Sequence, residues 1–181
     1  MTMGIGVRQL QPIPLEKAKP WTLAPPGSAP ITYVKQSETN WCWAACGEML
    51  MRPRGIAHSQ CSLASKQFNL SCCPSPGAQR GCDLGCWPDQ AYPKSGLGTT
   101  RVMSPMSQAA VSAELAAGRA VQVCYQWKGS RSTHVALIVD EYSNGDFEVY
   151  DPWPSYGPGR RQFSQIQGAY GLGAWIQSFT F

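Results

Sequence analysis

The chain has 181 residues, a formal net charge of +4 and only 14% charged residues, with 18 glycines and 15 prolines; that suits one domain with a real core and many loops, and leaves little room for a second. No Lys/Arg block occurs and the aromatics are not interleaved with basic residues, so nucleic acid is not an expected partner. No apolar run approaches the roughly 18 residues that a membrane-spanning helix needs, so no membrane span is expected either.

Residues 1 to about 30 carry Pro12, Pro14, Pro20, Pro25, Pro26 and Pro30 with few apolar clusters, which predicts a flexible or extended arm, with a short strand near Ile31 to Val34. A folded domain is expected over 31–181. Met1 to Gly6 lacks a basic n-region and Val7 to Pro14 is too short and polar for an h-region, so no secretory signal is read there. Eight cysteines pull the other way, because disulfides persist mainly in oxidising compartments. Export by a signal-less route would reconcile the two, as would cysteines that stay reduced.

The stretch Gln36-Ser37-Glu38-Thr39-Asn40-Trp41-Cys42-Trp43-Ala44-Ala45-Cys46 opens as a loop and becomes a run of helix formers at Cys42, predicting a helix to about Arg52, ended by Pro53 and Gly55. A thiol on that first turn faces unpaired N–H groups and the positive end of the helix dipole, which favour the thiolate. Gln36 can bring a side-chain amide back to the same spot and, with the Cys42 N–H, form a two-donor oxyanion hole. Cys46, one turn on, is expected to pack in the core.

A short helix is expected at about Ser62 to Phe68 and another at Pro88 to Lys94. Between and around them lie Cys61, Cys72, Cys73, Cys82 and Cys86, separated by Pro and Gly. Their spacing lacks a tidy pair of metal knuckles and no histidine is near, so disulfides are preferred to zinc. Candidate pairings are Cys73 with Cys82 or Cys86, and Cys61 with Cys72. Gly96 to Met106 reads as a crossing loop, and Ser107 to Ala117 as a helix capped by Ser104 or Ser107 and ended by Gly118. Strands are then expected at Ala120–Gln126, His134–Tyr142, Phe147–Tyr150, near Arg161–Ile166 and at Ala174–Thr180, with a hairpin turn at Asn144-Gly145. The fold class is therefore α+β, with a helical half over about 31–100 and a curved antiparallel sheet over about 101–181. Cys124, mid-strand, is expected as a buried free thiol, and His58 as a solvated surface residue.

His134 opens an apolar strand and Asp151 closes the next one across the Asn144-Gly145 turn, so the two are expected to be neighbours. A carboxylate there fixes the imidazole tautomer and steadies the imidazolium. With Cys42 opposite, the three make a thiolate–imidazolium pair with an orienting group.

Gln36, five residues and then Cys42-Trp43-Ala44 resemble the nucleophile segment of papain-like cysteine peptidases. The Asn-Trp-Cys-Trp-Ala-Ala-Cys form is most similar to compact bacterial members, the effector peptidases of plant pathogens and the double-glycine-cleaving peptidases. His134-Val135-Ala136-Leu137-Ile138-Val139 and Val149-Tyr150-Asp151-Pro152-Trp153 resemble the same family's His strand and Asn/Asp segment. Gly81-Cys82-Asp83-Leu84-Gly85 is similar to its Gly-Cys-Asn-Gly-Gly stretch, although Leu84 and Cys86 depart from the pattern. The resemblance implies a papain-like fold and a cysteine endopeptidase with Cys42 as nucleophile, His134 and Asp151 completing the triad and Gln36 as oxyanion donor. It also implies Trp153 as the shield of the His–Asp pair, Trp43 beside the substrate, a half-cystine at Cys82, and no cofactor or metal. A protein or peptide substrate, an immunity or inhibitor protein, a monomeric state and delivery as a secreted bacterial effector or toxin are the corresponding expectations. An acyltransferase or deamidase on the same triad, and a non-catalytic binding module, are the rival readings.

Overall fold

The computed structural model describes residues 30–73 and 81–181; the expected arm over 1–30 therefore lies almost wholly outside the described residues. Helix α1, Cys42–Met51, has nine of its ten residues buried, and only Cys42 retains access to solvent. A helix buried on every side belongs in the middle of a fold, and α1 lies between α2, Gln60–Phe68, and the sheet. It ends in a 3-10 turn, Arg52–Arg54, whose closing Gly55 takes φ +72°. Gly47 allows the close approach of α1 to its neighbours. A Cβ there would stand 2.8 Å from the Tyr92 ring and 3.0 Å from Leu63.

The ends of these helices are joined by side chains. The Gln60 N–H, at the start of α2, donates to Glu48 Oε2 of α1 at 3.1 Å, a carboxylate at the positive end of a helix. The Gln60 side chain accepts from the Ser37 N–H at 2.9 Å and donates to the Lys35 carbonyl at 2.9 Å. The loop leading to Cys42 is thus tied to α2 before α1 begins.

The sheet has six strands, all antiparallel, in the order β1-β6-β2-β3-β4-β5. They are β1 Thr100–Val102, β2 Val121–Trp127, β3 Thr133–Glu141, β4 Phe147–Tyr150, β5 Pro158–Arg161 and β6 Gly173–Thr180. The remaining helices are α3 Pro88–Ala91, α4 Gln108–Ala116 and α5 Phe163–Gln167. Alternation along β3 explains its unbroken apolar run. Val135, Leu137 and Val139 face the core formed with α1 and α2, whereas Ala136 and Ile138 face a second core with Val111 of α4 and Ile166 of α5. A strand buried on both sides needs no polar face.

Helix α4 is capped by Ser107, whose Oγ accepts from the Ala110 N–H at 3.2 Å. Cys46 and Cys124 are buried free thiols, as the sequence predicts. Several expectations are corrected. Ile31 to Val34 forms no strand but packs as extended chain against the first core. Thr100–Val102, expected within a crossing loop, pairs with β6 as an edge strand. The strand expected near Arg161–Ile166 is divided: β5 ends at Arg161, and Gln162 opens α5 with a capping box to Gln165. The disulfides are Cys61–Cys73 and Cys72–Cys82, not the candidate pairings. Cys86 is free and half-buried.

Candidate active site

The N-terminus of α1, the mouth of the β3–β4 hairpin and the segment after Cys82 meet around one cavity of about 720 Å³, lined by both Cys42 and His134. No side chain caps α1: Trp41 occupies the N-cap position without a capping bond, so the first-turn N–H groups beside the sulfur keep their donor capacity. The loop before Cys42 is fastened to the segment after Cys82. The Asn40 N–H donates to Asp83 Oδ1 at 2.7 Å, Asn40 Nδ2 to the Asp83 carbonyl at 3.0 Å, Trp41 Nε1 to the Cys82 carbonyl at 2.7 Å and Trp43 Nε1 to the Leu84 carbonyl at 3.0 Å. The Cys72–Cys82 bridge anchors that segment.

His134 is 3% and Asp151 is 1% exposed, and His134 Nε2 stands 2.7 Å from Asp151 Oδ1. Because Nε2 is taken by the carboxylate, Nδ1 is the ring nitrogen left to the Cys42 side. Burial works against a charged imidazole, but the hydrogen bond and charge of Asp151 and the Cys42 sulfur overcome it, and the His134 pKa is pushed up to about 10. The Asp151 carboxylate takes two further donors: the Trp153 N–H reaches Oδ1 at 2.9 Å and the Tyr170 hydroxyl reaches Oδ2 at 3.0 Å. Its backbone carbonyl accepts from the Tyr33 hydroxyl at 3.1 Å, and the next carbonyl, of Pro152, accepts from the Gln36 N–H at 3.0 Å. The N-terminal segment therefore holds the Asp151 loop in place.

Two tryptophans enclose the imidazole. Trp127 stacks on it with centroids 5.6 Å apart and planes at 20°, and Trp153 stands edge-on at 6.1 Å and 88°. Trp153 is thus beside the His–Asp pair, with 37% of its surface still exposed. Trp43 lines the cavity but is 1% exposed; it forms the wall from beneath, its ring against Phe68 at 6.0 Å. Gln36 is buried, and its amide Nε2 donates to the carbonyls of Glu38 and Thr39, both at 2.8 Å. Its Oε1 is buried without a partner, and the residue does not line the cavity. His58 is half-buried on α2's flank, with Nδ1 3.2 Å from Ser62 Oγ.

Sequence reasoning missed Trp127, Tyr170 and Cys86. Trp127 could have been found, since Tyr125 pairs with His134 across β2 and β3 and Trp127 lies two residues further on the same side. Cys86 lines the cavity wall with Trp87. Tyr170 offers no sequence signal, because it reaches Asp151 from a turn beyond α5. Among the described residues, no three His, Cys, Asp or Glu side chains converge to hold a metal ion.

A helix carrying the cysteine, packed on an antiparallel sheet that carries the histidine and the acid, is the papain-like α+β fold. Among solved structures the chain is similar to the peptidase domain of Streptococcus ComA, a bi-functional ABC transporter involved in a quorum-sensing pathway, with a TM-score of 0.60 and 17% identity over 83% of this chain and 97% of that one. Compared by sequence, the chain matches no protein-family model and no curated protein.

Proposed function

We propose that the protein is a cysteine peptidase in which Cys42, His134 and Asp151 form the catalytic triad. The observation that carries this reading is the buried His134–Asp151 pair at 2.7 Å, with its free ring nitrogen in the same cavity as a half-exposed cysteine on an uncapped helix start. The Cys42 sulfur attacks the peptide carbonyl carbon, forming an S–C bond while the carbonyl π electrons pass to oxygen. The oxyanion is held by the Cys42 N–H and by the Gln36 amide once it turns from the Glu38 and Thr39 carbonyls. As the C–N bond breaks, His134 gives its proton to the leaving amine. It then takes one from water, whose oxygen displaces the sulfur. Asp151 keeps Nε2 protonated and Nδ1 directed at the sulfur throughout.

The substrate is a protein or peptide laid along the groove between Trp43, Trp87 and Trp127. The two disulfides support an exported protein that matures under oxidising conditions, in keeping with a secreted bacterial effector or toxin, which could carry a dedicated inhibitor partner. The test is to add the protein, or its Cys42→Ala variant, to a cell lysate and map new protein N-termini by mass spectrometry. New termini with the unaltered protein alone support peptidase action. Mass changes of +1 Da on Gln, or amine adducts without cleavage, would assign the triad to deamidation or acyl transfer instead.

A further inference from the structure

The ring of Tyr170 has mostly aromatic surroundings, with the buried Tyr125 hydroxyl as the polar group beside it other than Asp151. It packs against Tyr125 at 5.5 Å and Tyr156 at 5.1 Å, with the Arg161 guanidinium 5.5 Å from its centroid. Phenylalanine would fill that space. The backbone carries a cost to put the residue there: Tyr170 has φ +60° and ψ 25°, and Ala169 before it has φ +44°. Bulky side chains rarely adopt this left-handed region, and such conformations persist where the surrounding structure over-determines them. The turn is held by the Gly171 N–H on the Gly168 carbonyl at 2.9 Å and the Leu172 N–H on the Ala169 carbonyl at 3.0 Å. What it delivers is a hydroxyl that donates to Asp151 Oδ2 at 3.0 Å and also lies against the Tyr125 hydroxyl.

The bond to Asp151 has a geometric effect. A carboxylate with donors on Oδ1 alone is free to rotate about its Cβ–Cγ bond, exchanging the oxygen that faces His134. With Oδ1 on His134 and the Trp153 N–H, and Oδ2 on Tyr170, the plane of the group is fixed at both ends. We propose that Tyr170 is a positioning residue of the site, a fourth member that acts through Asp151 to keep the His134 ring aimed at Cys42. The role rests on the triad reading above. The groups facing this pair are His134 from β3, Cys42 and the buried Cys46 from α1, Tyr33 from the N-terminal segment, Tyr125 from β2, Tyr156 from the turn after Trp153 and Arg161 from β5.

The direction of the effect follows. Against burial, which lowers it, the Asp151 bond together with the Cys42 sulfur raises the His134 pKa to about 10; loosening the Asp151 bond removes part of that support and lets the imidazolium lose its proton at lower pH, so the ion pair fails earlier on the alkaline side. The experiment is the rate of Cys42 carboxymethylation by iodoacetate, an anion that the imidazolium attracts, as a function of pH, read on the Cys42 peptide by mass spectrometry with the Cys86 peptide as internal comparison. It is run on the unaltered protein, Tyr170→Phe and Tyr170→Asn. Asparagine accepts left-handed backbone but is too short to reach Asp151, so it keeps the test decisive should the Phe variant fold poorly. The alkaline limb is expected to move acidward in both variants, with kcat on a peptide substrate falling about 10-fold and KM unchanged, as for loss of one hydrogen bond to a charged group. Fast Cys42 alkylation in the unaltered protein with unmoved limbs in both variants overturns the Tyr170 role alone. Cys42 that reacts no faster than Cys86 in the unaltered protein overturns the triad reading, and the Tyr170 role with it.

Discussion

Asp151 reaches His134 because β3 carries one residue more than β4 between them. Ile138 pairs with Val149 but Asp140 pairs with Glu148, leaving Val139 as a bulge. Continuing the register from Leu137 opposite Tyr150 sets Asp151 across from Ala136, on the face that also bears His134. Without the extra residue, the register fixed at the Asn144-Gly145 turn would place Asp151 opposite Leu137, facing α1, because a one-residue slip moves every side chain to the other side. Deleting Val139 is therefore expected to lower kcat/KM by on the order of 10²-fold or more, in line with loss of an orienting carboxylate. Steady-state kinetics with circular dichroism to verify the fold would check it, and a deletion variant of unchanged activity would contradict this account of the register.

The pH dependence of the unaltered protein follows from His134. Its pKa is raised above the ordinary 6.5 to about 10, so the imidazolium persists below that value and is lost above it. Activity is expected to hold through neutral pH and fall on an alkaline limb near 10. The stabilisation from this pair has the same sign: fully present below pH 6.5 and lost as pH rises through about 10. Asp151→Ala should pull the limb of kcat/KM down toward the ordinary histidine range. A limb unmoved in that variant would detach Asp151 from His134's titration.

Gln36 distinguishes two roles by one substitution. As an oxyanion donor, its replacement by Ala should cost kcat about 10²-fold with little change in KM. As a brace for Glu38 and Thr39, its loss would instead appear as a lower Tm with kcat nearly intact. The unpartnered Oε1 leaves the amide only half fastened, and the expected outcome is the fall in kcat.

The Cys72–Cys82 bridge closes a short loop and holds the segment on which Asn40, Trp41 and Trp43 are hung. A loop with a sequence separation of 10 contributes about 3 kcal/mol through the unfolded chain. Cys82→Ser is expected to lower the urea midpoint accordingly and to reduce kcat as well, since the loop before Cys42 loses its anchor. A variant that loses stability but keeps full kcat would separate the bridge from the site.

Gly173 sits where β6 leaves the Tyr170 turn and crosses β2. A Cβ there would lie 2.2 Å from the Gln126 carbonyl oxygen, a contact that only backbone movement can relieve. Gly173→Ala is expected to cost about 1–3 kcal/mol, as overpacking does, and to carry the Tyr170 hydroxyl away from Asp151. Thermal melts and the alkylation profile would report the two effects separately.

How much of this was legible in the sequence follows from which interactions are local. The helix that begins at Cys42, the Ser107 cap and the Asn144-Gly145 hairpin are written in short-range patterns, and all three form where expected. The fold class follows from them. The His134–Asp151 contact was expected from the hairpin, but the bulge that makes it possible leaves no mark in an apolar run where Val139 looks like its neighbours. The disulfides were misassigned because adjacent Cys72 and Cys73 differ only in which way the chain turns between them. Thr100–Val102 is a strand only because β6, nearly eighty residues later, offers it an edge. Gln36's direction depends on two carbonyls of its own loop, which spacing alone cannot orient.

The loop that presents the sulfur and the wall of the cleft share their fastenings, for Asn40, Trp41 and Trp43 all hang on the carbonyls of residues 82–84 and the Asp83 carboxylate, immediately before Gly85, Cys86 and Trp87. A guest wedged against Trp87 would thus tug the same stitches that decide where the Cys42 sulfur stands. Occupancy far along the cleft and the placing of that sulfur become a single mechanical variable, so under the proposed activity a poorly seated chain would be penalised in turnover as well as in residence.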